Sequence, residues 1–191
     1  MTTLPTAVIL CGPPAAGKDT VTRALTELDS TYALFQRLKV GSGKTSGYRM
    51  GTAEHLAALE ASGDVIYANS RYGNTYVVDK PGLDEIVAAG LVPVLHLGQI
   101  EGVRAVIEAY PARWTTVLLW CTQEETEVRS VGRGDADTKA RIKAWQATQD
   151  DVDAHPDQVW DLTLDTSTAS PEESARLIDQ LLDRRAGAAT A

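Results

Sequence analysis

The sequence is poor in the residue types that mark several protein classes. It has two cysteines, two methionines, three histidines and a single phenylalanine in 191 residues. Two isolated cysteines, Cys11 and Cys121, make neither a disulfide framework nor a metal cluster. Each follows an apolar strand-like run, so both are expected to be buried thiols in a reducing compartment. No apolar run approaches the ~20 residues of a membrane-spanning helix. No basic segment followed by an apolar stretch opens the chain, so a signal peptide is not expected. Positive charge is also short: 18 Lys and Arg stand against 26 Asp and Glu, for a net charge of -8. Such a chain does not draw nucleic acid or anionic membrane to its whole surface, and any phosphate site must be a local basic patch. No internal repeat is present. The expectation is a cytoplasmic single-domain protein with no nucleic-acid or membrane partner, a monomer or a homodimer.

What is present is an alternation of strands and helices. Ala7 to Cys11 is an apolar run that ends at a Gly-Pro-Pro turn and reads as a buried parallel strand. Lys18 to Leu28 carries Val21, Ala24, Leu25 and Leu28 at helical spacing. Leu34 to Val40 is a second strand, followed by a loop with three glycines between Gly41 and Gly47. Segments 64–69 and 74–78 read as a hairpin around Ser70-Arg71-Tyr72-Gly73. Leu91 to Leu97, Thr115 to Cys121 and Val159 to Leu164 are further strands. Helical stretches lie between them, and a last helix runs from Pro171 to Arg185. This order implies an α/β protein with a mainly parallel core sheet, arranged as a three-layer α/β/α sandwich. The hairpin breaks the rhythm and suggests an inserted subdomain, about residues 34–80.

The chemistry is concentrated first at Gly12-Pro13-Pro14-Ala15-Ala16-Gly17-Lys18-Asp19-Thr20. This stretch matches Gly-x-x-x-x-Gly-Lys, follows a strand and opens a helix, as a phosphate-binding loop requires. The glycines let successive N–H groups point inward at phosphate oxygens. The helix N-terminus adds its positive end, and Lys18 supplies a cation to the terminal phosphates of ATP. Asp19 stands where a serine or threonine usually holds Mg²⁺. A carboxylate is also a hard oxygen ligand, so Asp19 and Thr20 are both candidates for the metal.

Arg129 and Arg133 lie four apart and share a helix face. Gly132 and Gly134 offer a hinge, and Arg141 follows on the next helix. Phosphoryl transfer needs positive charge around three equatorial oxygens, and mobile arginines supply it while excluding water. Lys18, Arg129, Arg133 and Arg141 are therefore the catalytic candidates, with a helical lid over about residues 124–150.

With these pieces in place the chain resembles the guanylate kinase family from about residue 6 to residue 182. The stretch from Gly63 to Tyr76, with Gly73-Asn74-Thr75-Tyr76 at its end, matches the family's acceptor-binding segment. Arg129-Ser-Val-Gly-Arg133-Gly134 with Lys139-Ala-Arg141 resembles its lid arginines, and Asp161 to Thr166 its late strand and loop. The resemblance implies a P-loop core, an acceptor-binding insertion and a closing lid. It places Asp165 beside the adenine of ATP, and Arg37, Tyr48 and Tyr76 on the acceptor phosphate. Lys39 is the nearest substitute for a missing second arginine, as a point charge instead of a bidentate fork.

Three guanine-reading groups are absent. Tyr67 replaces a glutamate, Val78 a small hydroxyl residue and Gly98 an aspartate. A tyrosine cannot accept two hydrogen bonds as a carboxylate does, so guanine preference should be lost. With no acid at Gly98, Asp19 is expected to replace its charge near the metal. His96 faces either the acceptor pocket or the core. The chain is also similar to ribose 1,5-bisphosphate kinases, which share the Gly-Lys-Asp loop. Three functions stay open at this point: a kinase for a nucleoside monophosphate other than GMP, a kinase for a sugar phosphate, and a non-catalytic binding module. The retained Gly12, Gly17, Lys18, Arg133 and Arg141 speak against the third.

Overall fold

The computed structural model describes residues 4–71, 73–132 and 138–188. In chain order these form β1 (Thr6–Cys11), α1 (Lys18–Leu28), β2 (Tyr32–Leu34), β3 (Leu38–Val40), β4 (Arg49–Gly51) and α2 (Ala53–Ser62). There follow β5 (Val65–Arg71), β6 (Asn74–Asp79), α3 (Lys80–Ala88), β7 (Val92–Leu97), α4 (Ile100–Ala109) and β8 (Arg113–Trp120). The last elements are α5 (Gln123–Gly132), α6 (Thr138–Ala154), β9 (Leu162–Asp165) and α7 (Pro171–Ala188).

The five strands β2-β7-β1-β8-β9 make one sheet, in that order, with every pairing parallel. Each pairing except the consecutive β8–β9 joins strands distant in sequence. Successive side chains of β1 point to opposite faces, and both faces are covered. Val8 and Leu10 pack with Val21, Ala24 and Leu25 of α1 and with Ala175 and Ile178 of α7. Ala7, Ile9 and Cys11 pack with Leu83 of α3 and Val103 and Val106 of α4. This is the three-layer α/β/α arrangement expected of strands that are apolar throughout.

Four further strands form a second sheet in the order β4-β3-β6-β5. β5 and β6 are the expected antiparallel hairpin, and β3 pairs antiparallel with β6. α2 begins at Thr52, whose side chain accepts from His55 N, and ends at Gly63 with φ 74°. Leu59 of α2 packs under this sheet on Leu38 and Val77.

The stretch from Leu34 to Val40 is not one strand. Tyr32–Leu34 pairs with β7 of the large sheet, whereas Leu38–Val40 pairs with β6 of the small one. The chain changes sheets at Phe35-Gln36-Arg37, which carries Arg37 to the junction. Arg49 fastens that junction. It donates to Gln36 O at 2.8 Å, pairs with the buried carboxylate of Asp79 and lies over the Phe35 ring. Asp79 also caps α3 by accepting from Gly82 N at 2.9 Å. That cap, with Pro81 in the first turn, starts α3 earlier than the spacing of Leu83 to Ala89 indicates. Pro93 is tolerated inside the large sheet because β1 begins to pair with β7 only at Val94.

Candidate active site

The turn after β1 is shaped by positions where a side chain does not fit. Gly12 has φ 151°, and a Cβ there would stand 2.0 Å from Leu119 O. Gly17 takes φ 86° at the start of α1. Ala15 also has positive φ, at 61°, a conformation that costs a non-glycine residue about 1 kcal/mol or more. The loop thus wraps tightly across the ends of β1 and β8. Within it the Lys18 ammonium donates to Gly12 O at 2.7 Å and Pro13 O at 2.8 Å. Burial pushes the Lys18 pKa down, from its ordinary 10.5 to about 8.

A cleft of about 570 Å³ opens from this loop toward the second sheet. At the loop end stand Lys18, Asp19 and His96; at the far end stand Arg37, Lys39, Lys44, Tyr48 and Tyr76. Arg141 of α6 lines it too. The far end is a box of cations and rings. Tyr48 and Tyr76 have centroids 5.3 Å apart, the Arg37 guanidinium lies 5.2 Å from the Tyr76 centroid, and Lys39 Nζ lies 5.5 Å from that of Tyr48. The structure therefore gathers Arg37, Lys39, Tyr48, Tyr67, Tyr76 and His96 around one cleft with the loop lysine. Lys39 is buried, and two of its three N–H bonds go to Ser42 O and Lys44 O. It braces the glycine loop 41–47 as well as contributing charge.

His96 sits at the end of β7. Its Nε2 lies 2.6 Å from Thr22 Oγ1, and its Nδ1 faces Asp19 Oδ1 at 3.5 Å. Burial, aided by the Lys18 charge, holds its pKa down to about 4. At neutral pH the imidazole is uncharged, so its contact with Asp19 is not an ion pair. Asp19 itself is mostly exposed at the cleft mouth.

A second cavity, about 280 Å³, lies on the other side of the first turn of α1. Thr20 lines it together with Arg129, Thr166, Pro171 and Ser174. Asp19 and Thr20 therefore face different cavities. Arg129 is held here by Ala15 O at 3.0 Å, Thr166 O at 2.8 Å and Glu125 at 2.9 Å. It bridges the phosphate loop and the turn after β9, and it does not line the larger cleft. Asp165 lines neither cavity. Its carboxylate accepts from Ser167 N at 2.9 Å and from the Ser167 hydroxyl, and shapes the turn that presents Thr166. Arg133 and Gly134 lie outside the described residues.

Sequence reasoning does not single out three further cleft residues: Asn69 and Arg71, inside the Gly63–Tyr76 stretch, and Gln99, which carries no motif. Asn69, Arg71 and Gln99 line the wall beside Tyr67. Gln99 follows the glycine at the end of β7, which is the only local hint of its position.

A scan against family models matches residues 6–183 to one described as chloramphenicol phosphotransferase-like protein. The chain belongs to this family. The chain is also similar to a guanylate kinase from Nostoc sp., at 24% identity over 152 residues, 77% of this chain and 76% of the relative. Among solved structures it resembles guanylate kinase from Anaplasma phagocytophilum, with TM-score 0.65, 18% identity and coverage of 97% and 88% of the two chains. It also resembles shikimate kinase from Acinetobacter baumannii, with TM-score 0.52, 18% identity and coverage of 96% and 95%. The fold is that of P-loop kinases, and the phosphate loop sits where that fold needs it. This family member is a P-loop kinase-type phosphotransferase. Among its described residues no helix is long and apolar enough to cross a membrane.

Proposed function

We propose that this kinase transfers the γ-phosphoryl group of ATP to the phosphate group of a small acceptor, a nucleoside monophosphate other than GMP. The observation that carries this reading is the charge of the large cleft. Its described lining holds Lys18, Arg37, Lys39, Lys44, Arg71 and Arg141, and the single carboxylate Asp19 beside the loop. An alcohol acceptor, of the kind that chloramphenicol or shikimate would present, must lose a proton as it attacks. A base suited to that task has a pKa near the working pH. Burial holds the His96 pKa down, and the one carboxylate of the described lining, Asp19, is placed for the metal in this reading. A phosphate acceptor is already ionised and asks only for cations.

In this reading Arg37, Tyr48 and Tyr76 hold the acceptor phosphate, with Lys39 and Lys44 behind them. Residues 34–80 form the acceptor-binding unit. ATP lays its phosphates along residues 12–20 and its base in the smaller cavity between Arg129 and Pro171. An acceptor phosphate oxygen attacks the γ-phosphorus as the bond to the bridging oxygen breaks, and ADP leaves. Lys18 and Arg141 face the three equatorial oxygens. The lid, about residues 124–150 and including Arg133, closes over them and excludes water.

Mg²⁺ fits the donor set. It keeps several waters and needs only one or two protein carboxylates or hydroxyls beside the phosphates. Asp19 offers an exposed hard oxygen in the cleft, while Thr20 faces the other cavity. Asp19 is the residue that would hold it, and the ion would supply charge to the β- and γ-oxygens.

A sugar bisphosphate is the second reading. Lys44 and Arg71, beyond Arg37 in the same cleft, could meet a second phosphate. The test is kcat/KM for GMP, dGMP, AMP, CMP, UMP, dTMP and ribose 1,5-bisphosphate at fixed ATP and Mg²⁺. GMP is expected to be a poor acceptor. If GMP exceeds every other acceptor a hundredfold, another part of the pocket reads guanine and the reading fails.

A further inference from the structure

The side chains on the cleft wall form a chain of hydrogen bonds with a definite direction. Arg37 Nη1 donates to Asn69 Oδ1 at 3.3 Å. Asn69 Nδ2 donates to Gln99 Oε1 at 3.3 Å, and Tyr67 Oη donates to the same oxygen at 2.9 Å. The direction follows from Arg37, because a guanidinium has donors and no acceptor. It forces Asn69 to present its oxygen to the arginine, and so its nitrogen to Gln99. Gln99 must then present its oxygen inward. The orientation of both amides is set by the network.

The consequence is at Gln99 Nε2, which has no hydrogen-bond partner among the described residues and belongs to a side chain lining the cleft. Gln99 also stands at the start of α4, where a side chain often caps the helix. Here it does not: Asp151 of α6 accepts from Ile100 N at 2.8 Å and takes over the first turn. The Gln99 side chain is left to the cleft. Beside it, Tyr67 Oη has spent its proton on Gln99 and keeps lone pairs. Tyr67 is fixed in turn, since its ring lies against Gly102, where a Cβ would come within 2.7 Å of Cε1.

Gln99 and Tyr67 therefore offer one amide donor next to one phenolic acceptor. We propose that Gln99 selects the acceptor and that its substrate class is a nucleoside monophosphate with an imide edge, uracil or thymine. Resting on the phosphate-acceptor reading above, the match is a ring carbonyl accepting from Gln99 Nε2 and the adjacent ring N–H donating to Tyr67 Oη. Guanine can offer its O6 and N1–H to the same pair, but Gln99 and Tyr67 then leave its N2–H₂ unmet. An unmet buried donor is a strong penalty. Adenine has no carbonyl to receive the amide.

The test is kcat/KM for UMP, dTMP, CMP, AMP and GMP with the parent protein, Gln99→Glu and Gln99→Ala, with ATP binding followed separately by calorimetry. The parent should favour UMP or dTMP over GMP by about tenfold or more. Gln99→Glu replaces the donor by acceptors. It should lose on UMP, gain on GMP and move their ratio by about a hundredfold, with ATP affinity unchanged. Gln99→Ala should lower UMP use without raising GMP. If Gln99→Glu loses ATP binding, and so its fold, Asn69→Asp serves instead. It removes the N–H that orients Gln99 and should narrow the UMP to GMP ratio. A ratio unmoved in a folded variant, or a parent that prefers a purine or a sugar bisphosphate, overturns the assignment of Gln99. Failure of the phosphate-acceptor reading looks different: no phosphate ester is then used by the parent, and an alcohol is.

Discussion

Lys18 donates its ammonium to the Gly12 carbonyl at 2.7 Å, closing the phosphate loop on itself. The same amine has its pKa held at about 8 by burial. The phosphates of ATP compete for it with four negative charges against two neutral carbonyls.

The first prediction concerns that proton. A nucleotide phosphate beside Lys18 favours the charged amine and raises its pKa again. Above pH 8 the free protein has partly lost the proton, so ATP binding takes one up. Calorimetry at pH 8.5 in two buffers of different ionisation enthalpy should show uptake of more than half a proton, and at pH 6.5 little from this group. The sign for stability runs the same way. Between pH 8 and 10.5 the unfolded chain holds the proton and the folded one does not, so this group makes folding more favourable as pH rises through that window. An absence of buffer dependence at pH 8.5 would place Lys18 away from the phosphates.

Asp19 should govern the metal requirement. Asp19→Ala is expected to raise the Mg²⁺ concentration for half-maximal rate by about tenfold or more, since it removes a first-turn oxygen ligand from the cleft. Asp19→Ser should recover much of the loss. Equal Mg²⁺ titrations for the parent and both variants would leave Asp19 as a charge favouring the helix N-terminus.

The fastening of the two sheets predicts a stability effect far from the chemistry. Asp79 is 1% exposed and pairs with Arg49, itself about one-third exposed, while capping α3. Asp79→Ala leaves Arg49 without its partner and Gly82 N without its acceptor. The expected cost is about 3 kcal/mol, at the low end for a broken buried pair because Arg49 keeps some contact with water. Urea denaturation should show a lower midpoint with an unchanged slope. Asp79→Asn retains a cap acceptor and should cost less. A loss below about 1 kcal/mol for Asp79→Ala would mean that the pair does not hold the junction.

The phosphate loop was fully legible in the sequence because all its parts are local: a strand, two glycines at fixed spacing, a lysine and a helix. The large sheet was legible for the same reason, since parallel strands buried on both faces are apolar throughout. The split of residues 34–40 was not. Periodicity reports which face a side chain takes, and it does not report that Leu34 and Leu38 pair with strands of different sheets. β4, three residues long, carries too short a pattern to read. Arg129 is tied to Ala15, Thr166 and Glu125 beside the smaller cavity, which its i,i+4 spacing from Arg133 does not report. Such a tie depends on residues about 37 and 114 positions away. Gln99 was invisible for a related reason. Its importance lies in the direction of its hydrogen bonds, which is set by Arg37 through Asn69.

The most direct measurement is the kind of bond that the enzyme makes. The protein is incubated with ATP, Mg²⁺ and a nucleoside monophosphate, and the products are followed by ³¹P NMR. Transfer to phosphate creates a phosphoanhydride, so the acceptor's single resonance should give way to two mutually coupled ones as ADP accumulates. A new uncoupled monoester resonance, from phosphate placed on a hydroxyl, would contradict the assignment of the cationic cleft to an acceptor phosphate.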